Sequence, residues 1–544
     1  MAEANNLIGL HVGLQKKGDG VLTLSGNNTY LGSSVAAGGV LEINGTVAGD
    51  VWSVENGTIA GCGTINGNLY NNSVLQPGSL EFAAEANNED KKANSSARSA
   101  SVLPNNNTLT VKGDLSSTGA INFTVNGDSC TKLVVAGTAD IDVEKINVAN
   151  MVLNTKYELI EAGVLNVNSS SQAISGLLSL NYNTDSNSLF SSIDIGNNTN
   201  SALDDNQTSS MGALSNLYAA NLNDVNKSGR VLQLLMLDTE QSGRMLTALS
   251  NKDSIMSAGA VQRLHAINDA VSSHINAGNL DESIWFRLSR SRNCFDDSFC
   301  KLTGNSYTFG YDWKTGDCWR LGFLFNHNQL ENKSDFAKNS INDDRYGIYG
   351  SYSKNRDKAY IYVNHGRQKN TSNSRTAFYN IEDNHNSNIT EAGAEFAHNI
   401  SRKDAEWQFV PYVNTQISRY SQSEYSESGD NLFAQRVNSF HNTYSAAEIG
   451  LRFSKKTTKN SRFEASVGYK RVFSGNEPEF NYSFVGDLAH NYKTKGSFDR
   501  NLFVASINSQ QKQQGDWYIS EELTYEAGSH DHSLAFSLQL NKNW

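Results

Sequence analysis

The stretch NGDSCTK, Asn126–Lys132, is a place where a serine nucleophile could sit. Ser129 would need a histidine to take its proton and a carboxylate to hold that histidine. His11 is the only histidine before His265, and the flanking residues alternate like short strands. The stretch therefore reads as a turn in which Asp128 and Ser129 cap backbone groups. His530 and His532, in HDH, offer two imidazoles, too few to close a metal site. The five cysteines, Cys62, Cys130, Cys294, Cys300 and Cys318, form no paired CxxC spacing. Cys294 and Cys300 bracket FDDSF; they form a disulfide if that loop meets an oxidising space, and two thiols otherwise. The run NEDKK is a solvated charge cluster. No catalytic, cofactor-binding or metal-ligating set is expected.

The elements around these residues are β-rich. The chain has 544 residues, 38% apolar and 19% charged, with 43 Gly against 4 Pro. Glycine supplies turns, and proline is kept out of central strands. The net charge of −11 leaves no excess of cations for phosphates, which argues against a nucleic-acid partner. No apolar run is long enough for a membrane helix, a fact that says nothing against a membrane β-barrel. The first residues, MAEANNLIGLHVGLQKKGDG, lack the parts of a signal peptide. An exported protein would then be represented here by a C-terminal portion or a displaced start.

Residues 18–79 read as very short strands. GDGVLTLSG at Gly18–Gly26 is echoed by GGVLEINGT at Gly38–Thr46. A repeat of this length suits a right-handed parallel β-helix, whose rungs bury a few apolar side chains and turn on glycine; a short sandwich is the alternative. Residues 83–107 are polar and unpatterned, as in a flexible loop. Short strands resume after them. Residues 211–276 switch to helical spacing, with Ala260, Leu264, Ile267, Val271 and Ile275 on one stripe and Gly278 as a stop.

From Ser283 the period is two. Tyr307, Phe309, Tyr311 and Trp313 share one face, as do Trp319, Leu321, Phe323 and Phe325. About twelve such strands follow, long enough to cross a bilayer at a tilt, with aromatics near their ends. Short links near 315–317, 354–357, 401–405 and 457–460 alternate with longer polar stretches near 292–303, 330–342, 371–388, 424–440 and 475–499. A sandwich would hide its apolar face under a second sheet; a transmembrane barrel shows it to lipid, and the tyrosines and phenylalanines of these strands are read as lipid-facing. Glu521 on the apolar face, and Pro411 inside a strand, are exceptions that call for an interface position, a register shift or a bulge.

The order of parts resembles an autotransporter of the type V secretion route. GTIAGCGTINGNLYNNSVLQPGS resembles the glycine-rich passenger repeat, LTVKGDL with TKLVVAGTADI its last rungs, SIWFRLS the start of the first barrel strand, and SLAFSLQLNKNW the terminal strand. The resemblance implies an all-β chain: a β-helical passenger end over 1–210, a helical linker over 211–280 and a transmembrane barrel over 281–544. It implies a helix over 259–277 threading the lumen, with Leu264, Asn268 and Val271 on it. It implies a terminal assembly signal of Leu534, Phe536, Leu538, Leu540 and Trp544, read by the outer-membrane barrel assembly machinery. The implied setting is a bacterial outer membrane, with lipid as partner, the passenger at the cell surface, a monomer and no cofactor. No Asn-Asn pair lies between 211 and 280, so the self-cleavage of some relatives is not expected. Display or secretion of the passenger is the leading reading, an adhesin contacting a host or neighbouring cell the alternative; a plain porin is disfavoured by the helix and β-ladder before the barrel.

Overall fold

In the computed structural model the described residues are 12–86, 106–199, 201–276, 282–295, 299–333, 337–376, 378–402 and 405–543. The chain forms two compact units, Met1–Asn200 with Leu235–Thr239, and Ser201–Leu234 with Glu240–Trp544.

The first unit is a parallel β-helix. Val21 lies beside Val40, Val40 beside Thr58, and Thr58 beside Val74, which reproduces the sequence repeat as a pairing register. Aliphatic residues therefore stack on one another from rung to rung. Leu22, Leu41, Ile59, Leu75, Ile121 and Ile146 form one column, and Val47, Ile65, Val111 and Val135 another. Leu41, Ile59, Leu75 and Ile121 are fully buried, each worth ~1.5–3 kcal/mol relative to exposure.

Corners carry the Gly-Asx pairs of the sequence. Asp50 Oδ1 accepts from the Asn68 amide at 2.7 Å, Asn68 Oδ1 from the Asp114 amide at 2.9 Å, and Asp114 Oδ1 from the Thr138 amide at 2.7 Å. A Cβ on Gly67, Gly113 or Gly137 would lie 2.2–2.6 Å from the carboxylate or amide oxygen of the rung before. Glycine there is a close-approach requirement. Inside the coil, Ser53 donates to Asn71 Oδ1 at 2.6 Å, and Asn71 donates to Ser117 Oγ at 2.9 Å and the Ala120 carbonyl at 3.0 Å.

The expected loop near 83–107 is in part helix, Leu80–Ala86, and residues 87–105 lie outside the described set. The ladder passes over this segment: Thr64 and Ile65 pair with Thr110 and Val111. Three antiparallel strands, Ser170–Ala173, Leu178–Asp185 and Ser188–Ile195, finish the coil against Tyr157–Asn166. NGDSCTK is a tight hairpin, with Asn126 opposite Ser129 and Gly127 at φ +61°. Burial pushes the neighbouring Cys130 thiol up to about 12.

In the second unit five helices precede a barrel: α1 (Asp205–Ala220), α2 (Val225–Leu235), α3 (Thr239–Leu249), α4 (Lys252–Arg263) and α5 (Ala266–Asn276). The barrel strands are β1 (Glu282–Phe295), β2 (Phe299–Lys314), β3 (Trp319–Lys333), β4 (Ala337–Lys354), β5 (Asp357–Arg375), β6 (Asn380–His398), β7 (Trp407–Gln422), β8 (Phe440–Lys456), β9 (Ser461–Ser474), β10 (Asn501–Lys512), β11 (Trp517–Ala527) and β12 (His532–Asn543). Each pairs antiparallel with the next, and β12 closes on β1 from Ser283↔Asn543 to Cys294↔His532.

Three stretches expected as long loops, near 292–303, 330–342 and 371–388, are mostly strand. Their outward positions turn polar where they extend past the apolar belt, while Leu302, Leu330, Ile341 and Ile381 are buried. The other two hold four short strands, Tyr425–Ser426, Gln435–Val437, Glu479–Phe484 and Asp487–Lys495, joined in a separate sheet. Pro411 needs neither bulge nor shift. It pairs with Leu451 of β8, and the β6 ladder ends at Tyr412, so no amide is missed on that side. Glu521 is exposed on the outer face, cross-strand from Leu538 and Ser509 and midway along β11 between Trp517 and Tyr525.

Candidate functional site: the barrel lumen and its helix

The expected single helix over 259–277 is two. Leu264 is extended, with φ −71° and ψ 124°, and splits α4 from α5. Side chains on both sides of the break hold it. Gln262 donates to the Ser418 carbonyl at 3.2 Å and the Asn442 carbonyl at 3.1 Å, and accepts from Asn442 Nδ2 at 2.7 Å. Arg263 donates to the Asp499 carbonyl at 3.3 Å and lies over the Phe498 ring. His265 contacts Lys470 and Glu526 of the wall.

Above the break, α1 to α4 sit on the loop sheet. Asn206 exchanges two hydrogen bonds with the Lys495 backbone, at 2.8 and 2.9 Å, as a strand edge would. Asn221 donates to the Gly486 carbonyl at 3.0 Å, and Gln435 donates to the Leu249 carbonyl at 2.6 Å. Gly259 leaves room for Phe498, which a Cβ would meet at 2.4 Å.

Below the break, α5 runs inside the barrel. Its aliphatic stripe, Ile267, Ala270, Val271 and Ile275, packs on Trp285, Leu324, Tyr349, Tyr360 and Tyr362 of the inner wall. A helix in a wet lumen should be polar on most sides; this wall explains why one side is not. The opposite side, Asn268, Asp269, Ser272 and Ser273, faces a polar void of about 770 Å³, its opening included, with Glu395, Arg452 and Glu522 across it. Asn268 accepts from Tyr360 Oη at 2.9 Å and Asn414 Nδ2 at 3.0 Å. The last carbonyls of α5 meet cations: Lys358 donates to Ile275 O at 3.2 Å, and Arg462 to Asn276 O at 3.0 Å, as the negative helix end favours. His274 bridges Asn541 and Asp312, each at 2.9 Å, and Ser283 donates to Asp312 at 2.5 Å.

Buried ion pairs stiffen the wall. Arg345 binds Asp343 and Glu391, each at 2.7 Å, Arg452 binds Glu395 through two nitrogens at 2.7 Å, and Arg287 binds Glu522 at 2.8 Å. Four inward glycines lie directly across from four inward aromatics: Gly310 and Trp285, Gly322 and Tyr349, Gly393 and Tyr362, Gly450 and Tyr412. A Cβ on any of them would fall 2.1–2.6 Å from the facing ring. The rings thus lie flat on the wall and leave the bore to α5.

Of the residues singled out from sequence, Leu264 is the break, Asn268 is hydrogen-bonded to the wall, and Val271 is fully buried on it. Leu534 and Phe536 are about half exposed on the outer face of β12, with Leu538 and Leu540 part-buried on the same face; Trp544 lies outside the described residues. Cys300's side chain also lies outside them, and with it the Cys294–Cys300 pairing. The reading missed the inward aromatics. Tyr349, Tyr360, Tyr362, Tyr412, Tyr420 and Tyr444 are buried in the wall, and none faces lipid. Among the described residues no group of three or more His, Cys, Asp or Glu could hold a metal.

Outside, Trp319, Leu321, Phe323, Ile348, Ile361, Phe396, Val413, Ile449, Ile507 and Phe536 stay exposed. A closed barrel has no second sheet to cover such a face, so hydrocarbon must. Residues 297–533 match the family model described as the autotransporter beta-domain. The barrel is an autotransporter β-domain. The chain is similar to the translocator domain of the autotransporter NalP from Neisseria meningitidis, at 14% identity and TM-score 0.46, over 54% of this chain and 98% of that one. It is also similar to the transport unit of AIDA-I from Escherichia coli, at 16% identity and TM-score 0.38, over 51% and 98%. A curated relative, an extracellular serine protease from Serratia marcescens, is 48% identical over 61 residues, 11% of this chain and 6% of the relative's length. The autotransporter β-domain is a transport module of the bacterial outer membrane, with the passenger at the cell surface.

Proposed function

We propose that this chain anchors in the outer membrane and presents its own β-helical residues outside, through the lumen that α5 occupies. One observation carries the reading: a single chain segment, α4 to α5, descends from the loop-sheet side into a closed barrel and ends beside the start of β1 on the short-turn side. The β-helix is the passenger, and its own activity, binding to a neighbouring cell included, is a separate property. Lipid on the outer face is the principal partner, and the barrel acts as a monomer. Leu534, Phe536, Leu538 and Leu540 form the β12 row offered to the barrel assembly machinery.

A reporter fused in place of residues 1–200 tests this. It should be protease-accessible on intact cells and lose that access when the barrel is truncated before β12. A reporter that stays protease-protected with a folded barrel overturns the reading.

A further inference from the structure

The chain is acidic overall, at −11, yet one band of its outer face is basic. Along β5 the outward positions run Ile361, Val363, His365, Arg367, Lys369, all exposed, so beyond His365 the apolar belt gives way to cations. Along β7, exposed Val413 and Ile417 give way to exposed Arg419. Between them β6 presents Thr390, Asn388 and Asn386, without a carboxylate.

Register gathers these residues. His365 pairs with Thr390, which pairs with Arg419, and Arg367 pairs with Asn388. β5 and β7 stand about 10 Å apart, two strand spacings, so one anionic group can meet cations from both. His365 Nδ1 lies 2.8 Å from Thr390 Oγ1. The nearest outward acid, Asp344, lies beside Arg367 and is engaged by His327 at 2.6 Å. Among the described residues no ion pair joins Arg367, Lys369 or Arg419 to a carboxylate. The cations stand on the loop side, at the height where hydrocarbon ends and headgroups begin.

We infer that the outer face of β5–β7 binds the phosphate of a lipid headgroup in the leaflet on the loop side, through Arg367, Lys369 and Arg419. The inference goes beyond the transport reading and shares with it only that this face lies in a membrane. Native mass spectrometry of the full chain in detergent tests it, with lipid A, enzymatically dephosphorylated lipid A and inorganic phosphate as probes. The wild type should retain lipid A over the dephosphorylated form. The Arg367→Gln, Lys369→Gln, Arg419→Gln variant should bind it at least about tenfold more weakly, while Lys512→Gln with Lys542→Gln, on the short-turn side, should bind as wild type. Equal retention of both lipid forms, an undiminished triple variant, or complete displacement of the lipid by inorganic phosphate overturns the inference. Should the triple variant not fold, the wild type's choice between the two lipids still decides. Heat-modifiable migration on the same samples reports separately whether the barrel itself is intact.

Discussion

At Gly393 a valine would place a branched side chain where the Tyr362 ring lies, 2.6 Å from the position of a Cβ. Overpacking of this kind costs ~1–3 kcal/mol, and here it also tips an aromatic into the bore. Gly393→Val should lower the temperature at which the barrel loses its compact gel mobility, and Gly393→Val with Tyr362→Ala should recover part of the loss. In the β-helix, Asn71→Ala leaves Ser53 and Ser117 without their shared partner, a cost of ~1–3 kcal/mol for buried polar groups, visible as a lower denaturant midpoint of that unit. A third residue-level effect depends on pH. Hydrogen bonding from Lys132, at 2.8 Å, holds the Glu158 carboxyl below the usual carboxylate range. A depressed folded value stabilises the fold above the unfolded carboxylate value and loses that contribution as pH falls through the folded one. Glu158→Gln should therefore lower β-helix stability at neutral pH, converging with wild type in acid, by under about 1 kcal/mol because both groups are part-exposed. The glycine corners were legible in the sequence because close approach selects glycine locally; the Asp and Asn side chains that bond from rung to rung beside them were not. The glycine–aromatic pairs were not, since each partner sits on a different strand and only the register joins them.

Among elements, α5 is the one whose removal has the clearest consequence. Its stripe of Ile267, Val271 and Ile275 was visible as a 3.6-residue period, but the wall that receives it is spread over β1, β3, β4 and β5. Deleting 266–276 should open the lumen and raise single-channel conductance in planar bilayers, whereas Leu264→Ala, at the extended break, should leave conductance low. The break itself was hidden in the sequence. Leu264 continues the stripe; what ends the helix is contact of Gln262, Arg263 and His265 with the wall. The same limit explains the strand extensions. A strand with a polar outer face and only scattered apolar residues on the other looks like a loop until its neighbour is known.

For the whole molecule, the decisive property is what covers the outer face. The full chain should migrate faster on detergent gels before boiling than after, and should precipitate when the detergent is removed. Solubility without amphiphile would place the exposed Leu321, Ile348 and Ile361 in water and contradict the barrel's setting. Fold class was readable at this scale because period two and the glycine repeat persist over many residues, longer than any local exception. The cap of α1–α4 on the loop sheet was not, because its hydrogen bonds join residues as distant as Asn206 and Lys495.

After Pro77 the chain leaves the coil and rejoins it at Thr108, yet the strands on either side bond directly, Thr64 and Ile65 to Thr110 and Val111, and Val74 and Leu75 to Ala120 and Ile121. Rungs on either side keep their hydrogen bonds whatever that excursion contains. The stretch after Ala86 and before Asn106 is accordingly the place where a foreign epitope could be grafted while the load-carrying spiral stays unaltered.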